Sequence, residues 1–237
     1  MRKPKRLSKE QLAPYVVEFP REYPSPGGRG EGVGATNSPS PLTPLPPGEG
    51  RTLHWPTLFG NSHPVEIEVG FGKGLFLVTT GVAHPERNYF GVEIIRKYQL
   101  YAATRIATRG LPNVKTCCDD AKRVLRQFVP PASVDVVHVY FPDPWWKSRH
   151  KKRLLFTPEF AELVLRVLVS GGRLKFVTDV ADYFGMVTGL LAEVPAFRML
   201  PPPPEHEPAH DMDYLTNFER KFRREGRVIH RSEYEKA

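Results

Sequence analysis

Between residues 65 and 179 the chain passes five times from a short apolar run into a stretch of helical periodicity, and each run carries an acid at or just beyond its end. The runs are 65–70 (VEIEVG), 88–94 (NYFGVEI), 113–118 (NVKTCC), 134–141 (VDVVHVYF) and 173–179 (RLKFVTD), all of strand length and rich in β-branched or aromatic residues. Segments 75–83, 96–109, 121–128, 158–169 and 181–194 read as the intervening helices. Thr157 is an N-cap residue followed by Pro158 at the first helical position, and Gly171-Gly172 is expected to end that helix. Strand and helix in alternation require right-handed crossovers, which gives an α/β fold with a mostly parallel sheet and helices on both faces. A last strand or hairpin is expected at 227–231.

The N-terminal part has a different character. Four of residues 1–6 are basic, and 23–51 contain seven glycines and seven prolines with almost no large apolar side chains. Such a composition buries too little surface to offset the entropy of ordering, so a flexible insertion is expected there. We therefore divide the chain into 1–52, a basic arm with a Pro/Gly-rich insertion, and 53–237, the folded domain, onto which residues 53–59 dock the chain. The formal net charge of +8 favours a polyanionic partner. No apolar run is long enough to cross a bilayer, and no signal-peptide core follows the basic start, so a cytoplasmic protein with no membrane partner is expected. Cys117 and Cys118 are adjacent and form no ordinary disulfide, and no Cys/His spacing suggests a metal site.

In open parallel sheets ligands bind beyond the C-terminal strand ends. Here those ends carry Glu68, Glu93, Asp119-Asp120, Asp143 and Asp179. Gly70, Gly72 and Gly74 let a ligand approach the backbone after the first run, and Glu93, about 20 residues on, is placed to accept ribose hydroxyls. Phe71 and Lys73 are unlike a phosphate-cradling loop. A ligand with ribose and adenine but no phosphate fits better, namely S-adenosylmethionine, with Glu68 near its ammonium group and Asp120 near the adenine amino group. The plainer alternative for Asp119 or Asp120 is a helix N-cap.

The run 134–141 stops at Pro142-Asp143-Pro144, and Trp145, Trp146 and six cationic side chains from Lys147 to Arg153 follow. Prolines on both sides end the strand ladder and stiffen the turn around Asp143. The basic residues suit a nucleic-acid backbone, and a tryptophan suits stacking on an unpaired base. Trp145 is expected inward and Trp146 outward.

The combination of EVGFGKG, GVE, DDA, FPDPWWKSRHKKR, the TD of FVTD and TNFE resembles the bacterial tRNA (guanine-N7)-methyltransferase family from about residue 65 to 219. The resemblance implies a Rossmann-like class I methyltransferase fold and transfer of a methyl group from S-adenosylmethionine to guanosine 46 in the variable loop of tRNA. It implies that Glu68, Gly70, Gly72, Glu93, Asp120 and Asp143 bind the donor, that Asp143 is also catalytic, and that Lys147, Asp179, Thr216, Asn217, Phe218 and Glu219 contact the RNA. Related enzymes are monomers or homodimers. Two positions depart from the family pattern: Trp146 stands where proline or histidine is common, and Leu154 where an arginine usually closes the basic run. The alternatives are a methyltransferase for another RNA position and a non-catalytic RNA-binding module on the same fold.

Overall fold

The computed structural model describes residues 7–20, 52–144, 154–201, 214 and 216–237. The expectations for the basic start, for 23–51, for Trp145 and Trp146, and for the cationic run with Lys147 lie outside the described residues. In chain order the elements are α1 (Lys9–Leu12), β1 (Val16–Val17), α2 (Trp55–Phe59), β2 (Val65–Val69), α3 (Leu75–Ala83), β3 (Asn88–Glu93), α4 (Arg96–Thr108), β4 (Val114–Cys118), α5 (Ala121–Gln127), β5 (Val134–Tyr140), α6 (Pro158–Val167), β6 (Leu168–Thr178), α7 (Ala181–Ala192), β7 (Phe197–Met199), α8 (Asn217–Arg224) and β8 (His230–Lys236).

One eight-stranded sheet runs in the order β1-β4-β3-β2-β5-β6-β8-β7, parallel throughout except that β8 is antiparallel to both β6 and β7. The mostly parallel, doubly covered sheet read from the sequence is the fold observed. Chain order reverses at β2, which pairs with β3 on one side and β5 on the other. That reversal opens a crevice at the C-terminal ends of β2 and β5.

Side chains alternate across the sheet. On one face Ile67, Phe90, Val137 and Phe176 pack with Val124 and Leu125 of α5, Phe160 and Val164 of α6 and Tyr183 of α7. On the other, Tyr89, Val114, Tyr140 and Val177 meet Phe76, Leu77 and Val78 of α3 and Ala102 and Ile106 of α4. Each large apolar side chain so buried contributes about 1.5–3 kcal/mol. The edge of β4 is covered by β1, with Val16 opposite Thr116. Phe19 stacks on Phe128 at 4.0 Å, and the Leu53 amide donates to the Phe128 carbonyl at 2.6 Å. Phe128 thus receives the chain on both sides of residues 21–51.

Two boundaries differ from expectation. The helix opened by Thr157, whose hydroxyl caps the Phe160 amide at 3.2 Å, stops at Val167, and Leu168 already pairs with Val134. Gly171-Gly172 therefore does not end the helix. It lies inside β6, where the register jumps from Leu168 to Arg173, and Gly171 adopts φ +73° to let the extra residues bulge out. The closing strand is 230–236 rather than 227–231, and α8 precedes it. Thr216, three residues before Glu219, caps that helix by accepting the Glu219 amide at 3.0 Å. The Thr-x-x-Glu spacing is itself a helix-start signal.

Candidate active site

The turn after β2 is fixed at every residue. The Gly70 amide donates to the Val92 carbonyl at 2.8 Å, and Phe71 is buried over Gly91, whose missing side chain makes the room: a Cβ there would stand 2.6 Å from the Phe71 ring. The Gly72 amide donates to Glu93 Oε2 at 2.8 Å, Arg105 of α4 donates to the Lys73 carbonyl at 2.9 Å, and Gly74 abuts Ala102 of α4. Gly70, Gly72 and Gly74 have φ of +75°, +53° and +65°, values that side chains resist. The Cβ positions of Gly70 and Gly72 face open space, as a ligand approach requires.

Glu68 lies beside this turn, 2% exposed, and its Oε2 has no hydrogen-bond partner among the described residues. Burial, reinforced by the Glu93 charge, pushes its carboxyl well above the usual carboxylate range. A buried carboxylate without a partner is costly, and a cation delivered to the crevice would relieve it. Glu93 ends β3, and its Oε1 also accepts the Ile95 amide at 2.9 Å. Each of its oxygens has a second lone pair free of these backbone contacts. Ile94 and Ile95 beside it are exposed, apolar surface of the kind a flat base covers.

Asp120 is the N-cap of α5, accepting the Arg123 amide at 3.0 Å. Asp119 accepts the Asp120 amide at 2.8 Å and pairs with the Arg123 side chain, which also reaches the Pro20 carbonyl. The capping alternative therefore holds for Asp120, and the Asp119–Arg123 pair fixes its turn.

At the end of β5, Phe141 takes φ +50°, rare for an aromatic residue and strained, while its amide donates to the Val177 carbonyl at 2.7 Å. The reversal throws Pro142-Asp143-Pro144 out of the sheet and leaves Asp143 exposed. Asp143 is near enough to Tyr183 that its charge, added to burial, pushes the Tyr183 hydroxyl up to about 12. The Phe141 ring faces Phe222 at 5.6 Å and Phe218 at 6.4 Å, seating α8 against the Asp143 turn. No sequence signal marked Phe141 as anything but the end of a strand.

The other expected RNA-binding residues gather on α8 and the end of β6. Phe218 is 51% exposed, whereas Glu219 is buried and accepts Arg223 at 3.2 Å and Arg231 at 2.5 Å. Asn217 accepts Arg220 at 3.2 Å. Asp179 pairs with Arg227 at 2.7 Å, and the Arg227 guanidinium lies 4.5 Å over the Phe222 ring. Thr216 and Glu219 thus build and mount the helix, and Phe218 is the member of the group that faces outward. Among the described residues no group of three or more His, Cys, Asp or Glu is arranged to hold a metal ion, and no helix is long and apolar enough to cross a membrane.

The strand order, the glycine turn and the acid at the end of β3 define a class I methyltransferase fold, Rossmann-like in its doubly wound sheet. The solved structure of the 16S rRNA methyltransferase KamB superposes with a TM-score of 0.57 at 16% identity, over 77% of this chain and 91% of that one. A family model described as "Putative methyltransferase" matches residues 62–232. A tRNA (guanine-N(7)-)-methyltransferase of Rhodopirellula baltica is 45% identical over 191 residues, 78% of this chain and 70% of that protein. Its counterpart in Hydrogenovibrio crunogenus is 36% identical over 181 residues, 76% of this chain and 75% of that protein. The chain belongs to the tRNA (guanine-N7)-methyltransferase family.

Proposed function

We propose that this protein transfers the methyl group of S-adenosylmethionine to N7 of guanosine 46 in the variable loop of tRNA. The observation that carries the proposal is the pairing of an unpartnered, buried Glu68 oxygen with a glycine turn whose Cβ positions are open. These residues fit a ligand with a cationic amino end and a ribose, which the family's methyl donor has. Relatives named for guanine-N7 methylation of tRNA support the acceptor.

When bound, the donor supplies an electrophilic methyl group. Glu68 would hold its ammonium group, the outward lone pairs of Glu93 its ribose hydroxyls, and the Asp120 turn its adenine, with Gly70 and Gly72 giving room. Guanine N7 carries a lone pair in the neutral base, so no proton has to leave before attack. Alignment and electrostatics therefore carry the rate enhancement. Asp143 is suited to positioning the base. Its carboxylate accepts the guanine N1 and exocyclic amino hydrogens and turns N7 toward the donor. Lys147, Asp179, Thr216, Asn217, Phe218 and Glu219 surround the RNA, Asp179 through the Arg227 it holds and Thr216 and Glu219 by mounting α8.

The test is incubation with S-adenosylmethionine and unmodified tRNA, followed by nuclease digestion and mass spectrometry of the fragments. The expected product is 7-methylguanosine at position 46. Methylation elsewhere would reassign the target nucleotide, and binding of tRNA without methylation would leave a non-catalytic RNA-binding module.

A further inference from the structure

The sheet face under α3 carries a polar chain that methyl transfer leaves unexplained. Glu66, His138 and Tyr140 are all buried there. Arg87 donates to Glu66 Oε1 at 2.7 Å, Glu66 Oε2 meets His138 Nε2 at 2.7 Å, and His138 Nδ1 meets the Tyr140 hydroxyl at 2.7 Å. The Phe76 ring of α3 closes over them, 4.6 Å from the His138 ring and 5.2 Å from the Tyr140 ring.

The direction of each hydrogen bond follows from the partners. Both Glu66 oxygens face nitrogen, and although burial opposes ionisation, the His138 and Arg87 contacts outweigh it and hold the carboxyl below its usual range. Burial outweighs the pull of Glu66 on His138 and lowers its proton affinity, and Lys175, opposite His138 in the β5–β6 register, opposes a second cation there. A neutral imidazole donates from one nitrogen and accepts at the other. Nε2 donates to the Glu66 carboxylate, so Nδ1 accepts, and the Tyr140 hydroxyl gives its proton to Nδ1.

A second acceptor lies within the reach of Tyr140. Glu68 stands opposite His138 in the β2–β5 register, and Tyr140 follows two residues along β5 on the same face. Glu66, opposite Val136, stands in that same relation to His138, and those two side chains touch. Glu68 Oε2 nevertheless has no hydrogen-bond partner among the described residues. The hydroxyl that could fill it is taken by His138.

We propose that Glu66, His138 and Tyr140 are positioning residues of the donor site: they hold the Tyr140 proton on His138, so that Glu68 stays without a partner until the ammonium group of the donor arrives. A hydroxyl already bonded to Glu68 would have to be shared or given up on binding, and the ammonium group would gain less. The proposal rests on the reading of Glu68 as the ammonium partner and adds the device that keeps it vacant.

Calorimetric titration with S-adenosylmethionine, and with 5′-methylthioadenosine, which has the adenine, ribose and sulfur but no amino-acid end, tests this. His138→Gln brings an amide to Glu66 from where Nε2 stands and leaves no acceptor at Nδ1, so Tyr140 is released. Affinity for S-adenosylmethionine should fall about tenfold, while that for methylthioadenosine should stay at the wild-type value, which also shows that the variant is folded. Glu66→Gln should act alike: Arg87 keeps its oxygen, its amide donates to Nε2, and the imidazole proton moves to Nδ1. Tyr140→Phe added to either variant removes the hydroxyl and should restore S-adenosylmethionine affinity. Wild-type affinity in both single variants, an equal loss for both ligands, or a loss that Tyr140→Phe does not repair would overturn the proposal. A wild-type protein that binds no S-adenosylmethionine would instead overturn the proposed function, so the two failures are distinguishable.

Discussion

The Glu93 carboxylate joins the end of β3 to the turn after β2, accepting the Gly72 amide at 2.8 Å and the Ile95 amide at 2.9 Å. Glu93→Ala leaves both amides without an acceptor, and each unmet donor costs about 1–3 kcal/mol when buried. Affinity for S-adenosylmethionine should fall at least about tenfold, the equivalent of about 1.4 kcal/mol. Glu93→Gln keeps one acceptor oxygen and should lose less. Calorimetric titration of the donor into both variants checks the order.

Glu68 sets a pH dependence. In the folded protein without donor its carboxyl is protonated well above the ordinary 4.5, so above that pH the folded state holds a proton that the unfolded chain has released. Its contribution to stability is whole below about pH 4.5 and declines as pH rises through the folded value. Glu68→Gln is neutral at every pH and should flatten this decline. At neutral pH it should melt at a higher temperature than wild type. It should also bind the donor more weakly, since the ammonium group loses its counter-charge. Thermal melts over a pH series that starts near 4.5 and rises, with and without donor, check both effects.

Asp143→Ala should lower the turnover number by about 100-fold or more, because misplacing the guanine costs that much even when every other group remains. Binding of tRNA should stay near wild type, since Asp143 is an exposed carboxylate at the rim and contributes orientation more than affinity. Single-turnover kinetics at saturating tRNA separate the two quantities. A variant with near-normal turnover would sink the assignment.

Gly72 and Gly74 of the turn should respond unequally to alanine. At Gly72 only the φ of +53° resists the side chain, at a cost of about 1–2 kcal/mol. At Gly74 the new methyl group would also stand 2.6 Å from the Ala102 Cβ, so α4 must move and overpacking adds about 1–3 kcal/mol. Gly74→Ala should therefore unfold at clearly lower denaturant than Gly72→Ala. Gly72→Ala should lose donor affinity in larger proportion to stability, because its Cβ enters the open crevice.

The order of the parallel strands was legible because each is an apolar run of strand length with a glycine or acid behind it, and one periodicity change separates it from the next helix. The junction of α6 and β6 was not, because a helix that passes straight into a strand at Leu168 leaves no turn residue to mark it, while the conspicuous Gly171-Gly172 serves a bulge. In the site, Glu68, Glu93, Asp120 and Asp143 could be named from their positions at strand ends. What each touches was legible only in part. The helix cap at Asp120 is a local contact, three residues long, and stood as an alternative from the sequence, whereas Asp179 holds Arg227, 48 residues away. Phe141 was invisible for a different reason: a period-two pattern marks neither a left-handed residue at a strand end nor the α8 rings that pack on it.

Phe128 gives the chain a single mooring on either side of residues 21–51, through the Phe19 ring and the Leu53 amide. With both ends moored at one residue, the sheet registers the closure of that segment and hardly its length, since each doubling of a closed loop costs only about 0.6 kcal/mol. A change in the length of that segment should therefore leave the crevice at the C-terminal ends of β2 and β5 in place, because both moorings lie at the end of α5.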